Sequence, residues 1–307
     1  MDPTAAPPTE TSPPSASSPP SAPPAPERRE GPLRLVFGLF VVPLIVVLLC
    51  VAVFIGFGWV AYERQGVSDY LNDLQSFWPN RRWQAAYELS KILAADPEAL
   101  NNEPGAVAEV RRQFADAVSD PRVRRYLALV LGRTRDRQAL PLLTQAAAAS
   151  NPDPETRIYA LWSLGAIGDP AALPALREAL TDSDAGVRKT AAFALGSLGD
   201  PRAVSNLEPL LADPVPDVRW NAALALARLG SPAGVAVLEQ MLDRSLLAQV
   251  PGITSEQQEE AMISAIGALA AARGDAARPL LDRLAESDPS LKVRQAALAA
   301  RKALGEG

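Results

Sequence analysis

The 307-residue sequence contains no histidine. Histidine is the usual general base of catalytic triads and the commonest metal ligand among side chains. Its absence excludes triads, general bases and metal sites that depend on it. The single cysteine, Cys50, also excludes an internal disulfide and a zinc site built from cysteine and histidine.

Phosphate-binding loops and a large excess of positive charge are missing as well. The sequence has neither a GxxxxGK[ST] nor a GxGxxG motif, lysine is scarce, and the net charge is −5. Residues 122–137 form one arginine-rich patch, which could contact an acidic partner, but no basic stripe continues from it. We therefore predict no catalytic residue, metal, cofactor, nucleic acid or small-molecule substrate.

The first 62 residues differ sharply from the rest. Residues 1–32, mostly Pro, Ser, Ala and Thr, predict a disordered arm that acts as a spacer or docks its proline pairs into an aromatic groove. Residues 35–62 carry no charge, and 19 of the 26 residues from 35 to 60 are Val, Ile, Leu or Phe. This length exceeds the roughly 20 residues that span a bilayer, so we predict a transmembrane helix over 33–62.

Charges beside this run predict an orientation. Arg28, Arg29 and Arg34 precede the apolar run, whereas only Arg64 follows closely. The alanine-rich composition, with more arginine than lysine, suggests a GC-rich bacterial genome, so we predict a single-pass protein of a bacterial inner membrane. The positive-inside rule then favours a C-terminal domain in the periplasm over one in the cytoplasm. Residues 63–80 are predicted to be a juxtamembrane connector, which either lies on lipid or, as we favour, caps the following domain.

One phrase recurs through the second half of the chain. It reads VRRYLALVLGRTRD at 123–136, TRIYALWSLGAIGD at 156–169, VRKTAAFALGSLGD at 187–200 and VRWNAALALARLGS at 218–231. Its arginines are Arg124, Arg157, Arg188 and Arg219, spaced 33, 31 and 31 residues apart. A fixed period of this size predicts a solenoid of repeated helical pairs.

Each unit reads as two antiparallel helices of about 12 residues. Apolar residues recur at spacings of three and four within 187–198, and Gly199-Asp200-Pro201 ends one helix and begins the next. Small residues share one slot in successive units, which predicts close helix contacts: Gly132, Gly165, Gly196 and Ala227. Weaker units near Arg82, residue 256 and Arg294 extend the pattern, so we predict an all-α solenoid of about six hairpins over 81–307.

The repeated phrase resembles the HEAT-like repeats of the phycobilin-lyase type, also called PBS-lyase or E-Z repeats. The resemblance rests on residues 123–144, 156–182, 187–213 and 218–243. It implies an armadillo-type α-solenoid. It says little about activity, because pigment lyases, an iron hydroxylase and non-catalytic scaffolds share such repeats. The hydroxylase holds metal through His-Glu pairs, which this chain cannot supply.

Two sets of recurring polar residues are interpreted as structural. Asp136, Asp169 and Asp200 stand at the turn between paired helices, where they are expected to cap. Arg124, Arg157, Arg188 and Arg219 are expected to reach the neighbouring unit and tie repeats together, although an anion-binding row is the alternative.

Two features point to a protein partner. Trp83 and Trp220 follow their arginines in a slot that holds Arg125, Ile158 and Lys189 in other units. Because this slot tolerates charge, we expect it to be partly exposed, and tryptophan is enriched in binding hot spots. The second feature is an insertion at 244–253 that breaks the period and contains Leu246, Leu247 and Val250. Local packing is the alternative for both.

These observations favour a membrane-tethered, non-catalytic scaffold or assembly factor that binds a protein. An enzyme is not expected. A chromophore lyase or lyase-like chaperone subunit, and a sensor subunit of a membrane complex, are the alternatives.

Overall fold

The structure, a computed structural model, describes residues 40–61 and 66–305, with side chains for all of them except 56–61. The predicted disordered arm and the ends of the predicted transmembrane segment, at 33–39 and 62, lie outside these residues. The chain divides into two compact units, 1–64 and 65–307. The finer division of the sequence at residues 32, 62 and 80 stays a prediction.

The first unit is described as one helix, α1 (Val42–Ala61). In the described part of the chain, no helix is both long and apolar enough to cross a membrane. The predicted transmembrane helix, the inner-membrane location and the periplasmic orientation are therefore wrong.

The second unit contains only helices and connecting turns over residues 66–305. In chain order the helices are α2 (Val67–Leu74), α3 (Pro79–Ala95), α4 (Ala106–Asp116), α5 (Pro121–Arg133), α6 (Leu140–Ala147), α7 (Pro154–Ile167), α8 (Leu173–Glu178), α9 (Ala185–Leu198), α10 (Val204–Leu207), α11 (Pro216–Arg228), α12 (Val235–Gln240), α13 (Arg244–Leu247), α14 (Ser255–Arg273), α15 (Arg278–Ser287) and α16 (Leu291–Gly305). Twelve of these helices form six hairpins, while α2 precedes the first hairpin, α13 lies in the insertion and α16 follows the last hairpin. The prediction of an all-helical repeat solenoid is confirmed.

The first helices of consecutive hairpins, α5, α7, α9 and α11, pack directly on one another. A Cβ atom placed on Gly132 would lie 2.8 Å from Ser163 Cα, and one on Gly165 would lie 2.8 Å from Ala194 Cα. Real Cβ atoms do not approach a backbone that closely, so only glycine fits. The predicted close contact at the glycine slot is confirmed, and it sets the spacing of the stack.

The second helices are shorter than the predicted 12 residues. In the fourth hairpin, α10 spans only four residues and continues as a 3₁₀ helix, Glu208–Ala212. Pro209 has no backbone N–H, so an α-helical hydrogen bond cannot form there. Apolar periodicity alone does not reveal this interruption, since both helix types keep Leu207 and Leu210 buried.

The segment before the first hairpin packs on it. Leu74 of α2 is fully buried, and Val67, Tyr70 and Leu71 pack against the same core. Gln75 Nε2 donates a hydrogen bond to Glu109 Oε1 of α4 at 3.1 Å. Residues 67–75 therefore cover the otherwise open end of the repeat stack, as the capping alternative expects.

Candidate functional site

Arginines of the repeated phrase form ion pairs between consecutive hairpins. Arg157 Nη2 donates to Asp182 Oδ1 at 3.0 Å, and Arg188 donates to both oxygens of Asp213, at 2.8 and 3.1 Å. Arg188 Nη1 also donates to the carbonyl of Asp182 at 2.8 Å. Each of these arginines thus reaches from the first helix of its own hairpin to the acidic residue before the next one.

The pattern changes at the last recurring arginine. Arg219 Nη1 donates to the carbonyls of Asp213 and Pro214, at 2.7 and 3.2 Å, and pairs with no carboxylate of the described chain. In the insertion, Arg244 donates to both oxygens of Asp288, at 2.9 and 2.7 Å. Arg244 therefore supplies the inter-repeat pair in the C-terminal half.

Sequence reasoning missed the acidic partners of these arginines. Asp182, Asp213 and Asp288 each stand six residues before an arginine: Arg188, Arg219 and Arg294. This spacing was a usable signal. The repeated phrase predicts an aspartate or a carbonyl of the neighbouring unit as the acceptor, but it does not indicate which one each arginine meets.

Arg124 is an exception in this series. Its side chain is buried, and among the described residues its guanidinium has neither a hydrogen-bond acceptor nor an ion-pair partner. The guanidinium instead lies over the ring of Phe114, 5.2 Å from the centroid.

The three turn aspartates each accept a hydrogen bond from the backbone N–H two residues further on, which starts the following 3₁₀ turn. Asp136 also pairs with Arg111 at 2.8 Å, and Asp169 with Arg137 at 3.3 Å, in each case across a hairpin boundary. Asp200 pairs with Arg202 in its own turn at 2.6 Å, and these hydrogen bonds lower the pKa of Asp200 to about 2. That these residues stabilise the repeat stack stays a proposal.

The Arg188–Asp213 pair predicts a pH-dependent stability. Hydrogen bonds from Arg188 lower the pKa of Asp213, outweighing burial, which raises it. In the unfolded chain the same carboxyl has an ordinary pKa of about 3.9. At acidic pH, Asp213 therefore binds a proton more readily in the unfolded chain than in the folded protein. The free energy of unfolding is expected to be constant above about pH 5 and to fall as the pH drops through 4 towards the lowered pKa. Urea denaturation between pH 7 and pH 3 measures it.

Asp213→Asn is the control for that experiment. The variant has no carboxylate to titrate at this position, so its stability should start lower at pH 7 and decline less steeply below pH 5. Parallel profiles for the two proteins would contradict a role for Asp213 in the acid sensitivity.

The structure brings Trp220 and Val250, two predicted partner-binding residues, into one cleft. The cleft has a volume of about 480 Å³ and lies between α11 and α14, with residues 250–253 of the insertion forming one wall. Its remaining lining residues are Asp217, Asn221, Leu224, Met241, Gln257, Glu260, Ala261 and Ser264.

Helical spacing explains this lining. Asp217, Trp220, Asn221 and Leu224 are separated by three or four residues, so they share one face of α11. Gln257, Glu260, Ala261 and Ser264 repeat the same spacing on α14. The insertion is turned into the cleft at Gly252, whose φ of +76° suits a residue without a side chain.

A capping box holds the start of the second wall. Thr254 Oγ1 accepts a hydrogen bond from Gln257 N–H at 3.2 Å, while Gln257 Oε1 accepts one from Thr254 N–H at 2.9 Å. Residues 254–257 therefore form a capping box. It fixes where α14 begins relative to the insertion, and so the width of the cleft.

The cleft combines apolar surface with negative charge. Leu224, Met241 and Ile253 provide apolar surface beside the half-buried ring of Trp220. Asp217 forms an exposed ion pair with Lys189 at 3.2 Å, and Glu260 has no ion-pair partner among the described residues. The site suits a ligand group that is apolar along its length and positive at its end.

The other partner-binding candidates lie elsewhere. Trp83 is half-buried beside Tyr87, with ring centroids 6.4 Å apart, and Arg122 lies 5.7 Å from its ring centroid. Leu246 is exposed but does not line the cleft, and Leu247 is buried in the core. Within the insertion, only Val250 of the three apolar candidates is positioned in the cleft.

Comparison with known proteins supports the fold. The family model described as HEAT repeats matches residues 108–189 and 178–250. The complex of CpcE and CpcF of phycocyanin lyase from Nostoc sp. PCC7120 has a similar structure, with 22% identity, 78% of this chain and 95% of that chain covered, and a TM-score of 0.52. A search of curated proteins finds no significant match.

Two more distant structures are human deoxyhypusine hydroxylase and a designed armadillo repeat protein. The hydroxylase shares 20% identity over 78% of this chain and 96% of its own, with a TM-score of 0.32. The designed protein shares 21% identity over 78% of this chain and 99% of its own, with a TM-score of 0.39. The family match and the helical stacking together show that residues 108–250 form a solenoid of HEAT-like repeats.

Proposed function

We propose that this solenoid is a non-catalytic scaffold for protein–protein interaction and that the Trp220 cleft is its partner-binding site. The observation that carries the proposal is the pairing of a half-buried tryptophan with the wall formed by residues 250–253. Amphipathic aromatic side chains in recessed, partly dry sites dominate the binding energy of many interfaces.

The lining suggests which part of a partner binds. An extended peptide segment presents side chains one at a time and can follow a cleft between two helices. A lysine or arginine side chain fits best, because its methylene groups can pack on Leu224 and Trp220 while its charge lies near Glu260. A cation over an indole ring gains about 0.5–2 kcal/mol. The segment we propose is therefore basic with neighbouring apolar residues.

Trp220→Ala is expected to abolish selection of such peptides. A displayed random-peptide library should yield basic, apolar sequences on the wild-type protein and lose them on the variant, with affinity falling by about 2 kcal/mol or more. The measurement is enrichment by sequencing, followed by titration of the selected peptides.

Leu246→Ala is the matched control, because this side chain is apolar and exposed but lies outside the cleft. It should leave the selection unchanged. Glu260→Gln should weaken the binding of basic peptides and leave the binding of apolar peptides unchanged. Equal enrichment on wild type and Trp220→Ala would reject the cleft as the binding site.

A lyase-like subunit is the second candidate. It is suggested by the structural similarity to phycocyanin lyase, which covers 95% of that chain. At 22% identity this similarity is evidence of fold alone, so the activity ranks second. Co-expression with a bilin and its apoprotein tests it: covalently bound pigment on a denaturing gel would favour the lyase over the scaffold.

A further inference from the structure

A second feature, separate from the Trp220 cleft, is the unpaired Arg124. Only 9% of this residue is exposed, and its Nε atom, like that of Arg157, is buried without a hydrogen-bond partner. A buried guanidinium that lacks acceptors is costly, and folded proteins rarely leave one unsatisfied. Arg157 and Arg188 in the same slot of the next two hairpins each bind a carboxylate.

The difference lies in the residue that faces Arg124. Asp182 and Asp213, the acceptors of the next two arginines, each stand six residues before an arginine of the following hairpin. The corresponding residue before Arg157 is Asn151. Its Nδ2 donates to the carbonyl of Ala146 at 2.7 Å, and its Oδ1 accepts from Asp153 N–H at 3.2 Å. Asn151 is therefore neutral and already engaged.

A pocket lies where the missing acceptor would be. It has a volume of about 310 Å³ and is lined by Arg124, Gln145, Ser150, Asn151 and Thr156, among others. The pocket therefore combines the Arg124 guanidinium with neutral polar side chains.

One carboxylate, Asp153, also lines the pocket, and its partner is Arg125 rather than Arg124. Arg125 Nε and Nη2 donate to its two oxygens, at 3.0 and 2.7 Å, and Thr156 N–H donates at 2.9 Å. Glu155 pairs with the same Arg125. Arg125 is thus shared by two carboxylates, and neither of them forms an ion pair with Arg124.

We infer that this pocket binds a carboxylate group of a ligand, which Arg124 holds as Arg157 and Arg188 hold their aspartates. Charge-assisted hydrogen bonds of a guanidinium to a carboxylate are strong and directional. Burial lowers the pKa of Arg124, but arginine remains charged at neutral pH, so its guanidinium can still bind an anion. The carboxylate comes either from a free small acid or from an aspartate or glutamate side chain of a protein segment.

Isothermal titration calorimetry on the full chain at constant ionic strength tests the inference. The probes are glutarate, as a free carboxylate, and an acetylated, amidated Ala-Asp-Ala peptide. Saturable binding of either is expected, with glutaramide and an Ala-Asn-Ala peptide inactive. If the peptide binds at least tenfold more tightly than glutarate, the natural carboxylate belongs to a protein segment. If glutarate binds at least tenfold more tightly than the peptide, the natural ligand is a small acid.

Asn151→Asp is the decisive variant. It supplies the carboxylate from within the chain, and the repeat tolerates this pattern, since Asp182 stands two residues before the capping Asp184. We expect it to raise the melting temperature and weaken probe binding at least tenfold. Arg124→Gln should also weaken binding at least tenfold.

Two results would overturn the inference: no saturable binding of either probe to the wild type, or binding that Asn151→Asp leaves unchanged. Neither result bears on the Trp220 cleft, because Trp220→Ala should leave probe binding to the Arg124 pocket intact. The two proposals therefore fail independently.

Discussion

Replacing Gly196 by leucine is expected to lower the free energy of unfolding by about 3 kcal/mol or more. A Cβ atom on Gly196 would lie 2.8 Å from both Cα and Cβ of Ala225, on the next first helix. The contact is with backbone, so the two helices must move apart, and α9 packs against both α7 and α11. Urea denaturation monitored by circular dichroism measures the loss.

Alanine substitutions separate steric overlap from helix propensity. Gly196→Ala gains about 1 kcal/mol of helix propensity but meets the same overlap, so it should still destabilise, by about 1–2 kcal/mol. The matched control is Gly267→Ala in α14, where an added Cβ would have no atom within 4 Å. This control should stabilise by up to about 1 kcal/mol. The same sign of change at both sites would refute the steric explanation.

Arg188→Ala is expected to cost about 2–4 kcal/mol, because it leaves the Asp213 carboxylate buried and unpaired. The side chain of Asp213 is only 8% exposed, and Arg188 supplies hydrogen bonds to both of its oxygens. A buried carboxylate that has lost its partner costs more free energy than the intact ion pair contributes to stability. Chemical denaturation at pH 7 gives the value.

Lys189→Ala is the control for this prediction. Lys189 is the next residue and also pairs across the hairpin boundary, with Asp217 at 3.2 Å, but both side chains are substantially exposed. Its removal should change stability by about 0.5 kcal/mol or less. The double variant Arg188→Ala/Asp213→Ala should be less destabilised than the two single effects added together. Small, equal losses for Arg188→Ala and Lys189→Ala would argue against the inter-repeat role.

The Trp220 cleft was only partly predictable. Trp220 stood out because its slot holds charged residues in other hairpins, and the insertion stood out because it breaks the period. Their contact across the cleft follows from how α11 packs beside α14, which neither pattern contains. The burial of Leu247 was not predictable for the same reason. Leu246 and Val250 are equally apolar, and only the packing of the helices places Leu247 in the core.

The membrane prediction failed for a related reason. Composition shows that residues 35–60 are apolar, but spanning a bilayer requires a continuous helix of sufficient apolar length. Helix length is a structural property, and the described helices do not meet this requirement.

The sequence by itself determined the repeat period, the all-helical class, the cap residues and the close-contact slot at Gly132, Gly165 and Gly196. These depend on local preferences and on a spacing of three to four residues, which a single chain displays directly. Only the tertiary structure decided which carboxylate meets each arginine, that Arg124 meets none, and that two distant segments enclose a cleft. Those outcomes depend on contacts between residues about 25 or more positions apart, whose geometry is set by the packing of whole helices.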